Sequence, residues 1–218
     1  MKKIDQLLQK NRLVWRGSQV RQCRAGKLFL PTGFDALDEI LPDRGWPAGA
    51  LVDLLLPDAG PSHSNQYGIG ELRLLLPAMR DLVQQKKWLL WISPPHIPYA
   101  PALQTAGIDL QRLLVIDSHL SRNNKVWTME KALQTSGCGM VLCWADVMPM
   151  AATRRLQLAA ERSGAVAVLF QARKVSTSVA ALRLQLAATA AGIQVRLLKA
   201  RGVIRYPCVE LRLYEDFE

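Results

Sequence analysis

The chain alternates short, wholly apolar runs with stretches in which apolar residues recur every three or four positions. Ala50–Leu56, Trp88–Ile92, Leu113–Asp117, Met140–Trp144 and Val166–Phe170 are the apolar runs. Runs of this length, bounded by Pro, Gly or polar residues, read as strands buried on both faces. Between them, Leu72, Leu75, Leu76, Met79, Leu82 and Val83 recur at helical spacing. Pro77 lies inside that pattern, which predicts a kink or a late start for the helix. Further helices are expected near 125–136 and 151–162. Strands alternating with helices indicate βαβ units and a mainly parallel sheet.

The two ends of the chain depart from that alternation. Leu182–Ala187, Ile193–Lys199 and Val209–Tyr214 follow one another with short links, as antiparallel strands extending the sheet edge would. Near the start, FDALDEIL (34–41) reads as a helix stopped by Pro42, and residues 45–49 read as a turn. Residues 1–12 carry a short helical pattern. The polar stretch 58–70 and the segment holding Pro94, Pro95, Pro98 and Pro101 read as loops. The expected organisation is an N-terminal basic arm, 1–28, and one α/β domain, 29–218.

Charge sharpens this division. The net charge is +10 over 218 residues. Residues 1–28 hold eight Lys/Arg against one acid, residues 33–81 three against eight, and residues 173–212 eight against one. Basic ends around an acidic segment suit nucleic acid, an acidic protein surface or head-to-tail self-association. No base-reading module is visible, so DNA contact is expected to be weak or indirect. No apolar run approaches the roughly 18 residues that span a bilayer. Cys23, Cys138, Cys143 and Cys208 form no C-x-x-C pair and read as reduced thiols, which places the protein in the cytoplasm.

A strand, a glycine-bearing loop and a helix form the setting of a nucleotide-binding loop, where backbone N–H groups cradle phosphates. The chemistry needs Lys and then Ser/Thr after the last glycine. Here the loop offers Gly60, Gly68 and Gly70, but Glu71 stands in the lysine position and Leu72 in the hydroxyl position. Like charges at ~4 Å and an effective dielectric of about 20 repel by about 4 kcal/mol. The loop is therefore degenerate, and no cofactor is expected. Ser93-Pro94-Pro95-His96 follows the second core strand where a catalytic Glu would stand. Trp144 ends the strand that should close on a Mg²⁺-binding Asp, with Asp146 two residues on.

The layout resembles the RecA-like P-loop core. TGFDALDEIL (32–41), GWPAGALVDLLLPDAG (45–60) and AGIDLQRLLVID (106–117) resemble its successive strand approaches. VRLLKARG (195–202) resembles the strand whose paired cations reach a neighbouring subunit's nucleotide, which would make Lys199 and Arg201 interface residues. With VWRGSQ (14–19), GIGELRLLLPA (68–78), PPHIPYAPAL (94–103) and RRLQLAAE (154–161), these segments resemble the ImuA family over about residues 13–214. That resemblance implies a non-catalytic accessory of SOS-induced translesion DNA synthesis. Its partners would be an ImuB-like relative of Y-family polymerases, RecA and a specialised replicative-type polymerase. PSHSNQY (61–67) departs from the family as an insertion. The SulA family of SOS division inhibitors, which bind the tubulin-like FtsZ, shares a QLWLTP-like second strand, here WLLWISP (88–94). SulA is shorter and lacks the TGFDALDEIL…GWPAGA lead-in, and its presence favours ImuA.

Other chemistry finds little support. His63, His96 and His119 share no ligand spacing, so no metal site is expected. No G-x-S-x-G elbow accompanies the serines. Trp46, Trp88, Trp91, Trp127 and Trp144 suit the core or its rim. Trp15 and Arg16 differ. They sit in a basic, glycine-bearing arm and are expected to anchor a partner.

Overall fold

In the computed structural model, the described residues are 29–57, 67–116, 120–145, 147–172, 178–201 and 206–213. The expected arm, with Trp15 and Arg16, lies outside them, as do Gly60, His63, His119 and Asp146.

A short hairpin-like pair, β1 (Phe29–Leu30) and β2 (Trp46–Pro47), flanks helix α1 (Asp35–Ile40). The Thr32-Gly33 turn before α1 requires its glycine. Gly33 adopts φ +84°, and a Cβ there would fall 2.5 Å from a Pro77 carbon. Strand β3 (Ala50–Leu56) follows, and all seven of its residues are buried. Helix α2 starts late, at Leu76, and runs to Gln84 with Pro77 in its first turn, where a missing N–H costs nothing. Then come β4 (Trp88–Ile92), α3 (Ala100–Thr105), a 3-10 turn, β5 (Leu113–Ile116), α4 (Arg122–Gln134), β6 (Cys138–Trp144), α5 (Met150–Ser163) and β7 (Val166–Ala172). The chain closes with β8 (Leu182–Thr189), β9 (Gly192–Ala200) and β10 (Cys208–Arg212).

Eight strands form one sheet in the order β10-β9-β8-β3-β7-β6-β4-β5. Strand β8 joins β3 in parallel, so only the β8–β9 and β9–β10 pairings are antiparallel. The sheet is mixed and mainly parallel. Its strands are apolar on both faces because helices or the lead-in segment cover both. Val52, Leu54 and Leu56 join α1, α2, Trp46, Trp91, Trp144 and Phe170 in one core layer. Leu51, Val141, Cys143 and Leu169 join α4 and α5 in the other.

Asp53 interrupts the second layer. It is fully buried, accepts a 2.7 Å bond from Gln171 Nε2 and faces Arg183 Nε at 3.8 Å. Burial is the largest influence on its carboxyl and pushes the pKa above 3.8, against Ser178, Arg183, Gln171 and Lys199. A folded-state pKa above the unfolded one means that the native state holds the proton more tightly. Stability from Asp53 is thus full below about pH 3.8 and declines as pH rises through the raised value. Asp53→Asn should flatten that decline in urea titrations run at stepwise pH. An unchanged slope would show that Asp53 does not drive it.

Candidate functional site

The described end of the glycine-bearing loop, from Tyr67 on, does not present an anion cradle. Residues 71–75 form turns rather than a helix, so no helix N-terminus faces Gly68 and Gly70. Glu71 is folded inward and only 4% exposed. Its Oε1 accepts the N–H of Gly68 at 3.0 Å, so the chain's own carboxylate takes an amide that a phosphate would need. Leu72 packs against the adjoining core. At the end of β6, Trp144 stacks on Phe170 with ring centroids 4.6 Å apart and meets Trp91 edge-on at 5.9 Å. An aromatic cluster therefore occupies the end of a strand where metal chemistry would place an acid. Ser93, after β4, is buried with φ +52° and donates its N–H to the Ile116 carbonyl.

Lys199 and Arg201 lie near the start of β8. Lys199 Nζ donates to the Ser178 carbonyl at 2.8 Å. Arg201 sits 3.5 Å from Glu161, at the end of α5. Both cations already have partners within the chain. Burial pushes the Cys143 thiol up to about 12 and the half-buried Cys138 thiol up to about 11, which disfavours the reactive thiolate at both.

What the tertiary structure does bring together is an apolar rim. Strands β3, β4, β6 and β7 are parallel, so the loops after β4 and β6 open on one edge of the sheet. The loop after β4 presents Ile97 at 94% and Tyr99 at 72% exposure. Pro94, Pro95, Pro98 and Pro101 restrict its backbone, which lowers the entropy lost on docking. The segment after β6 presents Val147 and Met150, and α4 presents Trp127 at 59% exposure. Trp88, Trp91 and Trp144 fit the expected core or rim, whereas Trp127 stands out from it. Exposed aromatic and branched residues gathered at one edge mark a surface for a macromolecule. Sequence reading missed this rim because its residues come from separate loops with no shared motif.

Comparison with known proteins points to one family. Residues 63–167 match the family described as cell division inhibitor SulA. A SulA division inhibitor of Serratia marcescens is 32% identical over 102 residues, which is 47% of this chain and 60% of the relative. That of Photorhabdus laumondii is 31% identical, covering 48% of this chain and 58% of the relative. That of Edwardsiella piscicida is 28% identical, covering 58% and 76%. The chain thus spans about three-fifths of the length of the first two relatives it matches. These matches overturn the ImuA reading, and with it the translesion role and the ImuB-like, RecA and polymerase partners. The lead-in at 32–50, which favoured ImuA, lies outside the matched residues. In the structure it forms α1 and β2, and its Leu37, Leu41 and Trp46 cover one core layer. Covering a sheet face is a need of the fold and carries no information about a partner.

Proposed function

We propose that this chain is a damage-induced inhibitor of cell division that acts by binding the tubulin-like protein FtsZ, without catalysis of its own. The observation that carries this reading is the match of residues 63–167 to SulA. Those residues include every member of the apolar rim: Ile97, Tyr99, Trp127, Val147 and Met150. A binding role also agrees with the inward Glu71 and the stacked Trp144, which replace the groups that nucleotide hydrolysis needs. The core is read as a RecA-like arrangement that has lost its nucleotide chemistry, supported by its strand–loop–helix order and parallel strands. No helix among the described residues is long and apolar enough to cross a membrane. A cytoplasmic site of action suits an FtsZ-binding role.

Expression in a rod-shaped bacterium tests the reading directly. Cells should elongate into filaments that replicate DNA but do not divide. The purified chain should suppress FtsZ assembly in a sedimentation assay while releasing no phosphate from ATP. Normal division together with unaltered FtsZ assembly would defeat the proposal. ATP turnover abolished by a substitution at the glycine-bearing loop would defeat its non-catalytic part.

A further inference from the structure

We infer that the trough between α4 and α5 receives an acidic amphipathic helix of the division protein. This rests on the proposed function and names the surface and the chemistry that it recognises.

The two helices lie side by side across one face of the sheet, thirteen and fourteen residues long. Between them runs a trough in two parts. The upper part, about 490 Å³, is walled by Arg122, Trp127, Pro149 and Arg155. The lower, about 300 Å³, is walled by Glu130, Leu158 and Arg162 as well as Arg155. Arg155 joins the parts, held by its ion pair with Glu130. At about 1.5 Å of rise per residue, the trough is roughly 20 Å long, enough for three to four helical turns.

Its lining states what the occupant must carry. Trp127 and Leu158 expose large apolar surface along the trough. An occupant needs an apolar ridge to cover them, and an exposed tryptophan flanked by arginines is the usual composition of a binding hot spot. The charge is one-sided. Arg122, Arg155 and Arg162 line the trough, and the one carboxylate among the described lining groups, Glu130, is already taken by Arg155. Neither helix has an acidic residue in its first turn, so the positive ends of both dipoles at the upper part meet no charge from their own first turn, and α4 has only the Ser121 hydroxyl, which accepts the N–H of Asn124. Acidic flanks beside an apolar ridge satisfy both demands. The upper part opens on the same edge of the sheet as the proline-held loop.

The test uses the full chain and purified FtsZ, with affinity read by fluorescence anisotropy of labelled FtsZ. Trp127→Ala should weaken binding about thirtyfold or more. Arg122→Glu combined with Arg162→Glu should weaken it and reverse the effect of added salt on what remains. Arg196→Ala, an exposed cation on β9, should bind like the unaltered chain. Melting curves within a few degrees of the unaltered protein show that each variant is folded, since all three side chains changed in the trough are exposed. Equal affinity for Trp127→Ala and the unaltered chain, with FtsZ assembly still suppressed, overturns the trough and leaves the division reading standing. Failure of the unaltered chain to bind FtsZ overturns both. Displacement of FtsZ by a single-stranded oligonucleotide at equimolar concentration would assign the trough to nucleic acid instead and overturn the inference.

Discussion

Replacing Arg183 with methionine is expected to destabilise the protein by about 3–5 kcal/mol, the usual cost of removing one partner from a buried charge pair. Arg183 lies on β8 opposite Asp53 of β3, and both are buried. Asp53 in turn holds Gln171 on β7, whose Oε1 accepts the N–H of Met148 at 2.8 Å. One carboxylate therefore ties three strands to the loop before α5. Without the guanidinium, that carboxylate keeps its desolvation penalty and loses a compensating charge. For a domain of this size, the melting temperature should fall by about 6–20 °C. The loss should shrink at acid pH, because a protonated Asp53 needs no cation. Pairing Arg183→Met with Asp53→Leu should recover part of the stability, since it removes both charges but leaves the buried Gln171 Nε2 without its acceptor. A loss below about 1 kcal/mol for the single change at neutral pH would mean that Asp53 is already neutral in the native protein.

The second large effect is functional and leaves stability alone. Ile97→Asp together with Tyr99→Asp should abolish filament formation in cells and weaken FtsZ binding by at least tenfold, more than 1.4 kcal/mol. Both side chains project from the proline-held loop into solvent, so their removal should change folding stability by less than about 1 kcal/mol in total. The loop backbone should keep its shape, because the four prolines that restrict it are retained. Loss of division arrest with unchanged thermal melting would assign the loop to the contact surface. Division arrest that persists at full strength would place the contact elsewhere on the rim.

Much of the fold was legible from residue order. Ala50–Leu56 and Trp88–Ile92 occupy the spans that their apolar runs indicate. Pro77 signalled the late start of α2 correctly. Helix α3 was missed because Pro94, Pro95, Pro98 and Pro101 read together as loop; Pro101 instead sits in the first turn, the position a helix tolerates. The functional reading went astray for a related reason. Lead-in segments such as 32–50 are long and distinctive, but they serve the core, whereas the residues at the rim are few and scattered.

The sequence by itself determined the alternation of strands and helices, the burial of β3 and the absence of lysine, hydroxyl and acid from the positions where a nucleotide-binding loop would carry them. These follow from local periodicity and from the identity of single residues, which need no knowledge of neighbours distant in the chain. Only the tertiary structure decided that β8 joins β3 in parallel, that Glu71 turns inward onto Gly68, that Lys199 and Arg201 are held by Ser178 and Glu161, and that Trp127 is left facing a basic trough. All but the Glu71–Gly68 bond, which spans three residues, depend on contacts between residues far apart in sequence. An exposed and a buried tryptophan share one letter, and only tertiary packing, which covers Trp91 and Trp144 in the layer of α1 and α2 and leaves Trp127 exposed on α4, distinguishes them.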